Sequence, residues 1–225
     1  MSELFTPEHL GAVAVTASIC ALLVMAARRE PGTWTDWFSR ALALVLVLNE
    51  VSWWIVSWRS GLWNVTGYLP LQLCSAATFV AAAALLWRRP FLVELTWFWG
   101  VAGTLQAILT PDLVQHFPDY WFVQYYLGHG GIVLAALFLT LGLGLRPRPG
   151  AAVRAFLATL AVTAVIGLAD LVTGGNYMYL RRPPPGPTLL ELMGPWPWYI
   201  AGSTLLAAVF FLALEVPFRV GRRTP

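Results

Sequence analysis

Seven apolar runs separated by short polar or proline-containing breaks leave this chain few ways to fold. They lie at Leu10 to Ala27, Ala41 to Trp58, Leu69 to Trp87, Phe91 to Leu109, Trp121 to Leu145, Ala155 to Val172 and Trp196 to Val216. Each is near the roughly 20 residues that carry a helix across a bilayer. The pattern predicts an all-α integral membrane protein, a bundle of about seven transmembrane helices forming a single domain over residues 1–225. The boundaries under most strain are the third connection, where only Arg88, Arg89 and Pro90 stand between adjacent runs, and the fifth run, which is long enough to tilt. A chain with 58% hydrophobic and 11% charged residues and a mean hydropathy of +0.67 is no ordinary soluble domain.

Every one of the 14 basic residues is arginine. Without lysine there is no retinal or pyridoxal Schiff base and no phosphate-binding P-loop. The arginines sit at the ends of the apolar runs, so they read as topology signals and not as a nucleic-acid surface. With the N-terminus outside, Arg28, Arg29, Arg40, Arg88, Arg89, Arg146, Arg148, Arg154, Arg219, Arg222 and Arg223 fall inside. Only Arg59, Arg181 and Arg182 fall outside, so the bias of short loops favours an outer N-terminus and an inner C-terminus. Glu3 and Glu8 precede the first run where a signal peptide would be basic, and that run is expected to be retained. Trp34, Trp37, Trp87, Trp121, Trp196, Trp198 and Tyr199 lie near run ends, as interfacial anchors do. Two cysteines without paired spacing give neither a disulfide framework nor a zinc site, and nothing in the sequence calls for a cofactor or metal.

Ionisable residues at bilayer depth are costly and usually face a bundle interior or a cavity. At 1.5 Å per residue, Glu50 falls about 12 Å from the outer end of the second run, Cys74 about 8 Å into the third and His129 about 12 Å into the fifth. Asn49, Gln72, Ser75, Gln106, Thr110, Gln124, Tyr125, Asp170 and Thr173 share the outer half. The inner half has little beyond Glu94 and Glu215, which Arg88, Arg89 and Arg219 are placed to neutralise. The asymmetry predicts a polar pocket open to the outer leaflet. Tyr125 and His129 share one helix face, and the glycines of GHGG, Gly128 to Gly131, permit close approach of a helix or a substrate chain. Each group also has a structural reading. Cys20 is a core thiol, Cys74 is either a core thiol or a nucleophile with His129 as base, and His129 and Glu50 can serve interhelical contacts. His9 and His116 are expected at the aqueous surface.

The strings LPLQLCS (Leu69 to Ser75), Pro111-Asp112, GHGG, GNYMYLRRPPP (Gly175 to Pro185) and MGPWPWY (Met193 to Tyr199) resemble the YwaF-like bacterial integral membrane family. That family is similar to a vertebrate transmembrane phospholipid acyltransferase. The resemblance implies a helical bundle distantly like the androgen-induced intramembrane hydrolases, with an acyl-carrying cysteine at Cys74 and an assisting histidine at His129. One departure is Gln72, where the bacterial pattern often has a histidine.

Together these readings favour a lipid acyltransferase, transacylase or lipid hydrolase of the cytoplasmic membrane whose partner is a membrane phospholipid. Asn49 and Gln72 are candidate oxyanion donors and Glu50 a candidate to orient His129. Tyr125, Asp170, Asn176, Tyr177 and Arg181 are candidates for substrate binding, the last three for a phosphate headgroup. The competing classes are a small transporter and a non-enzymatic lipid-binding protein.

Overall fold

A computed structural model describes residues 6–184 and 189–220, and among these there is no strand. Glu3, Pro185, Arg222 and Arg223 lie outside the described residues. Helix α1 (Pro7–Arg29) starts from Thr6, whose side chain accepts the His9 N–H at 3.2 Å, with Pro7 at the position where a missing N–H costs nothing. Helix α2 is Thr33–Arg59, α3 is Leu73–Trp87 and α4 is Pro90–Leu109. Helix α5 (Tyr120–Gly142) is capped by Asp119, which accepts the Trp121 N–H at 2.8 Å. Left-handed Gly150 and Gly174 bracket α6 (Ala151–Thr173), and α7 is Trp198–Val220.

Six of these helices are long and apolar enough to cross a membrane; α3, with 15 residues, falls short of that length. The third apolar run begins at Leu69, but its helix begins at Leu73. Pro70 disfavours helical backbone just before it. Tyr177, far along the chain, holds this stretch: its hydroxyl accepts the Leu69 N–H and donates to the Val65 carbonyl, each at 2.9 Å. The separation of α3 from α4 is as expected, because Arg88 turns left-handed (φ 49°) and Pro90 opens the next helix. The fifth run reaches Leu145, but its helix ends at Gly142, just before left-handed Gly144.

Helix α5 is the hub, packing on α1, α2, α3 and α4, while α6 and α7 pair and lean on α4. More than half of α4 and α5 is buried, whereas α1, α6 and α7 turn Val15, Leu22, Val165, Leu168, Leu171 and Leu205 outward. Apolar side chains on that outer surface suit lipid rather than water. Both hub helices carry a π-helical segment, Trp99–Thr104 in α4 and Phe138–Gly142 in α5. A Cβ on Gly100 would stand 2.8 Å from the Ala136 Cβ, so this glycine sets how closely the two hub helices approach.

At the end opposite Cys74, two carboxylates that are each 1% exposed fasten the turn before α6. Glu94 accepts from the Arg148 backbone N–H (3.1 Å) and guanidinium (2.8 Å) and from Arg154 (2.8 and 3.0 Å). Its partners are thus these two arginines, not Arg88 and Arg89, which are nearer in sequence; Arg88 pairs with Asp36. Glu215 takes Arg219, as expected from their spacing, and also the Gly150 and Ala152 N–H groups at the start of α6.

Candidate active site at the N-terminus of α3

Cys74 is the second residue of α3, because the helix starts four residues later than its apolar run. No side chain caps this terminus. First-turn N–H groups have no partner within a helix, and their aligned dipoles favour negative charge. An oxyanion formed beside the thiol would meet these free N–H groups, a turn nearer the helix mouth than the sequence suggests. The Thr104 hydroxyl lies within hydrogen-bonding reach of it and the Glu50 carboxyl within electrostatic range. Thr104 ends the π-helical segment of α4 and donates to the Trp99 carbonyl five residues back at 3.1 Å.

Tyr125 joins the same cluster from α5, near Cys74. Its hydroxyl donates to the Ala107 carbonyl at 2.8 Å, which fixes the ring. His129, one turn on, lies over that ring with centroids 4.1 Å apart. Its Nδ1 donates to the Tyr125 carbonyl at 2.8 Å, and Nε2 has no partner among the described residues. A carbonyl can only accept, so the proton sits on Nδ1 and the lone pair on Nε2. No hydrogen bond links Cys74 directly to His129 among the described residues.

No hydrogen bond links Glu50 to His129 among the described residues. Ser75 is a polar neighbour of the Glu50 carboxyl, while Oε1, in a side chain only 7% exposed, has no hydrogen-bond partner among the described residues. Asn49 ties α2 to α5 through the Gln124 carbonyl at 3.1 Å, and a Cβ on Gly128 would stand 2.8 Å from its amide nitrogen. Gly130 and Gly131 face Thr16 and Leu46, so three glycines of GHGG serve close helix packing.

The long connection after α6 is a strap over the segment before Cys74. Asp170 Oδ1 accepts the Tyr177 N–H at 2.9 Å, and Gln72 Oε1 accepts the Met178 N–H at 3.0 Å, leaving the Gln72 amide N–H₂ as the free donor. Asn176 Oδ1 accepts the Arg181 and Arg182 N–H groups, and Arg181 reaches the Gly175 carbonyl at 3.3 Å. These residues, expected to hold a headgroup, are engaged in the strap's own bonds. Met178 and Tyr179 both sit at positive φ (53° and 56°), a conformation costly for side-chain-bearing residues. His9, expected at the surface, is buried and bonds the Tyr126 hydroxyl at 2.7 Å; His116 is exposed and meets Glu8 at 2.9 Å. Cys20 is buried in the apolar core, as expected. No group of three or more metal-ligating side chains occurs among the described residues.

Against known proteins, the model of the TMEM164 family matches residues 4–214. The chain belongs to that family. It is a multi-pass membrane protein, in keeping with its apolar helices. Within this TMEM164-family chain, a stretch of 163 residues is 26% identical to an uncharacterized protein of Treponema pallidum (strain Nichols), covering 72% of this chain and 64% of that relative's length. The match therefore takes in less than two thirds of the relative. No solved structure matches the chain. The TMEM164-family match takes in α1 to α6, most of α7 and every residue of the Cys74 cluster.

Proposed function

We propose that this protein transfers or hydrolyses lipid acyl groups through Cys74. The single observation that carries the reading is the thiol's place in the uncapped first turn of α3, a helix that packs on α5, where His129 keeps a free Nε2 lone pair. His129 takes the Cys74 proton, and the sulfur attacks the carbonyl carbon of an acyl ester. The ester C–O bond breaks, the departing alcohol takes the proton from His129, and the acyl group is left on sulfur as a thioester. An acceptor lipid hydroxyl, or water, then gives its proton to Nε2 and attacks the thioester, and the thiol is restored. Because the two side chains share no direct hydrogen bond, the proton passes through the ester oxygen or one bridging water. The N–H groups of the first turn and the free Gln72 amide are the donors for the oxyanion.

The resemblance to a phospholipid acyltransferase points to the same chemistry. On this reading α3 is a seventh membrane segment, the N-terminus is outside, and the site faces the outer leaflet of the cytoplasmic membrane. The acyl donor there is a membrane phospholipid.

The test is intact mass of the purified protein after incubation with mixed phospholipid, with and without neutral hydroxylamine. A fatty-acyl adduct that hydroxylamine removes, absent from Cys74→Ala and depleted in His129→Ala, is the expected result. An unmodified protein in a membrane whose lipid composition ignores both substitutions would favour a transporter or a lipid-binding protein.

A further inference from the structure

A cavity of about 600 Å³ lies at the Cys74 end of the bundle, between the last turns of α2 and the chain leading to α3. Trp54, Trp58, Trp63 and Tyr68 line it together with Arg59. Tryptophans at span ends are ordinary interfacial anchors when they radiate into the headgroups. These instead converge on one concavity. The Trp58 and Trp63 rings lean together at 5.3 Å and 53°, and Trp53 stacks on Tyr68 at 5.0 Å and 23°, which steadies the Tyr68 wall. Arg59 is exposed and has neither ion-pair nor hydrogen-bond partner among the described residues.

Aromatic faces attract ammonium groups, and a guanidinium binds phosphate through paired N–H donors. A wall of rings beside an unpaired arginine matches both charges of one ligand type. We propose that this cavity binds the headgroup of a zwitterionic phospholipid, its phosphate on Arg59 and its ammonium against Trp58, Trp63 and Tyr68. An anionic lipid satisfies the arginine but leaves the rings without a cation. A soluble phosphocholine has the same charges, but Leu69 and Pro70 extend the cavity's apolar wall toward α3, which suits a ligand with acyl chains. The site requires no turnover, so it stands independently of the Cys74 chemistry.

Native mass spectrometry of the full chain carrying Cys74→Ala, offered equal amounts of phosphatidylcholine, phosphatidylethanolamine and phosphatidylglycerol with identical chains, tests the site without turnover. Preferential retention of either zwitterionic lipid over phosphatidylglycerol is expected. Arg59→Gln, a surface change that leaves the fold intact, should weaken that retention about tenfold, the loss of one charged hydrogen-bonding partner. Trp58→Leu and Trp63→Leu should erase the preference for zwitterionic over anionic lipid, while Trp87→Leu, at the far end of α3, should leave it unchanged. Equal retention of all three lipids, indifference to Arg59→Gln, or displacement of lipid by equimolar soluble phosphocholine would overturn the proposal.

Discussion

Tyr125 holds His129 twice, with its ring at 4.1 Å from the imidazole centroid and with its carbonyl at 2.8 Å from Nδ1. The stack sets the plane of the imidazole, and the hydrogen bond sets which nitrogen carries the proton. Both constraints come from within one helical turn, so they survive changes elsewhere in the bundle. What the rest of the fold supplies is the packing of α3, which carries Cys74, on α5.

Separating the two contacts is the first test. Tyr125→Phe keeps the ring and loses only the bond to the Ala107 carbonyl, a cost of about 1 kcal/mol in stability. Tyr125→Leu also removes the stack, and acyl-adduct formation at Cys74 should fall about tenfold or more as the imidazole loses its orientation. Time-resolved intact mass compares them; equal rates for the two variants would deny the ring any role in positioning His129.

The glycine before His129 gives a second. In Gly128→Ala the new methyl would stand 2.8 Å from the Asn49 amide, which must swing off the Gln124 carbonyl. We expect a loss of about 1–3 kcal/mol in stability, seen as a lowered melting temperature in detergent. Gly11→Ala on α1, where nothing lies within 4 Å, is the control and should match or exceed wild type.

Tyr177 tests the strap. Its side chain is wholly buried, and burial pushes its phenol above the usual tyrosine range, so it stays protonated and donates to Val65. Tyr177→Phe should cost about 1–3 kcal/mol and, by loosening the segment before α3, speed alkylation of Cys74 by maleimide. Because folding raises this pKa, the stabilisation is full below about pH 10. The gap between wild type and Tyr177→Phe should therefore close as the pH climbs through the raised pKa. A gap that does not vary with pH would show that the hydroxyl is not the stabilising group.

At the other end, Glu94→Gln keeps the shape of the side chain but removes the charge that gathers Arg148 and Arg154. Both arginines are partly solvated, so the expected loss is moderate, about 2 kcal/mol. Raised salt should narrow the difference from wild type, because it screens the exposed guanidiniums. Lipid specificity at the Cys74 end should be unchanged.

The helices were legible from hydropathy because every long one has to present an apolar surface to lipid. Their ends were legible where a local residue decides them, as Pro90 does for α4 and Gly174 for α6. The start of α3 was not, since the hydroxyl that holds Leu69 belongs to Tyr177, over a hundred residues away. The same distance hid the partner of His9, which finds Tyr126, and those of Glu94, which bypasses the neighbouring Arg88 and Arg89. Cys74, His129, Glu50 and Tyr125 were all nameable as chemically capable groups out of place in an apolar helix. Thr104 was not, because a single threonine in VAGT carries no such signal and the π-helical segment before it is invisible to helical periodicity. The headgroup role expected of Asn176 and Arg181 came from their exposed, polar loop, where the sequence does not disclose how many of their bonds the loop itself consumes.

The shortness of α3 has a mechanical consequence. Fifteen helical residues rise about 22 Å, against a hydrocarbon core of about 30 Å, so lipid beside this helix meets a local hydrophobic mismatch. A bilayer answers such a mismatch by thinning and by letting polar headgroups sink toward the short side. The deficit lies at the α3 terminus that bears Cys74, where the chain before Leu73 is no longer helical. If Cys74 acts on lipid esters as proposed, the glycerol esters of neighbouring lipids would be lowered toward the thiol, and the work of bringing nucleophile and ester to one depth would be shared with the membrane.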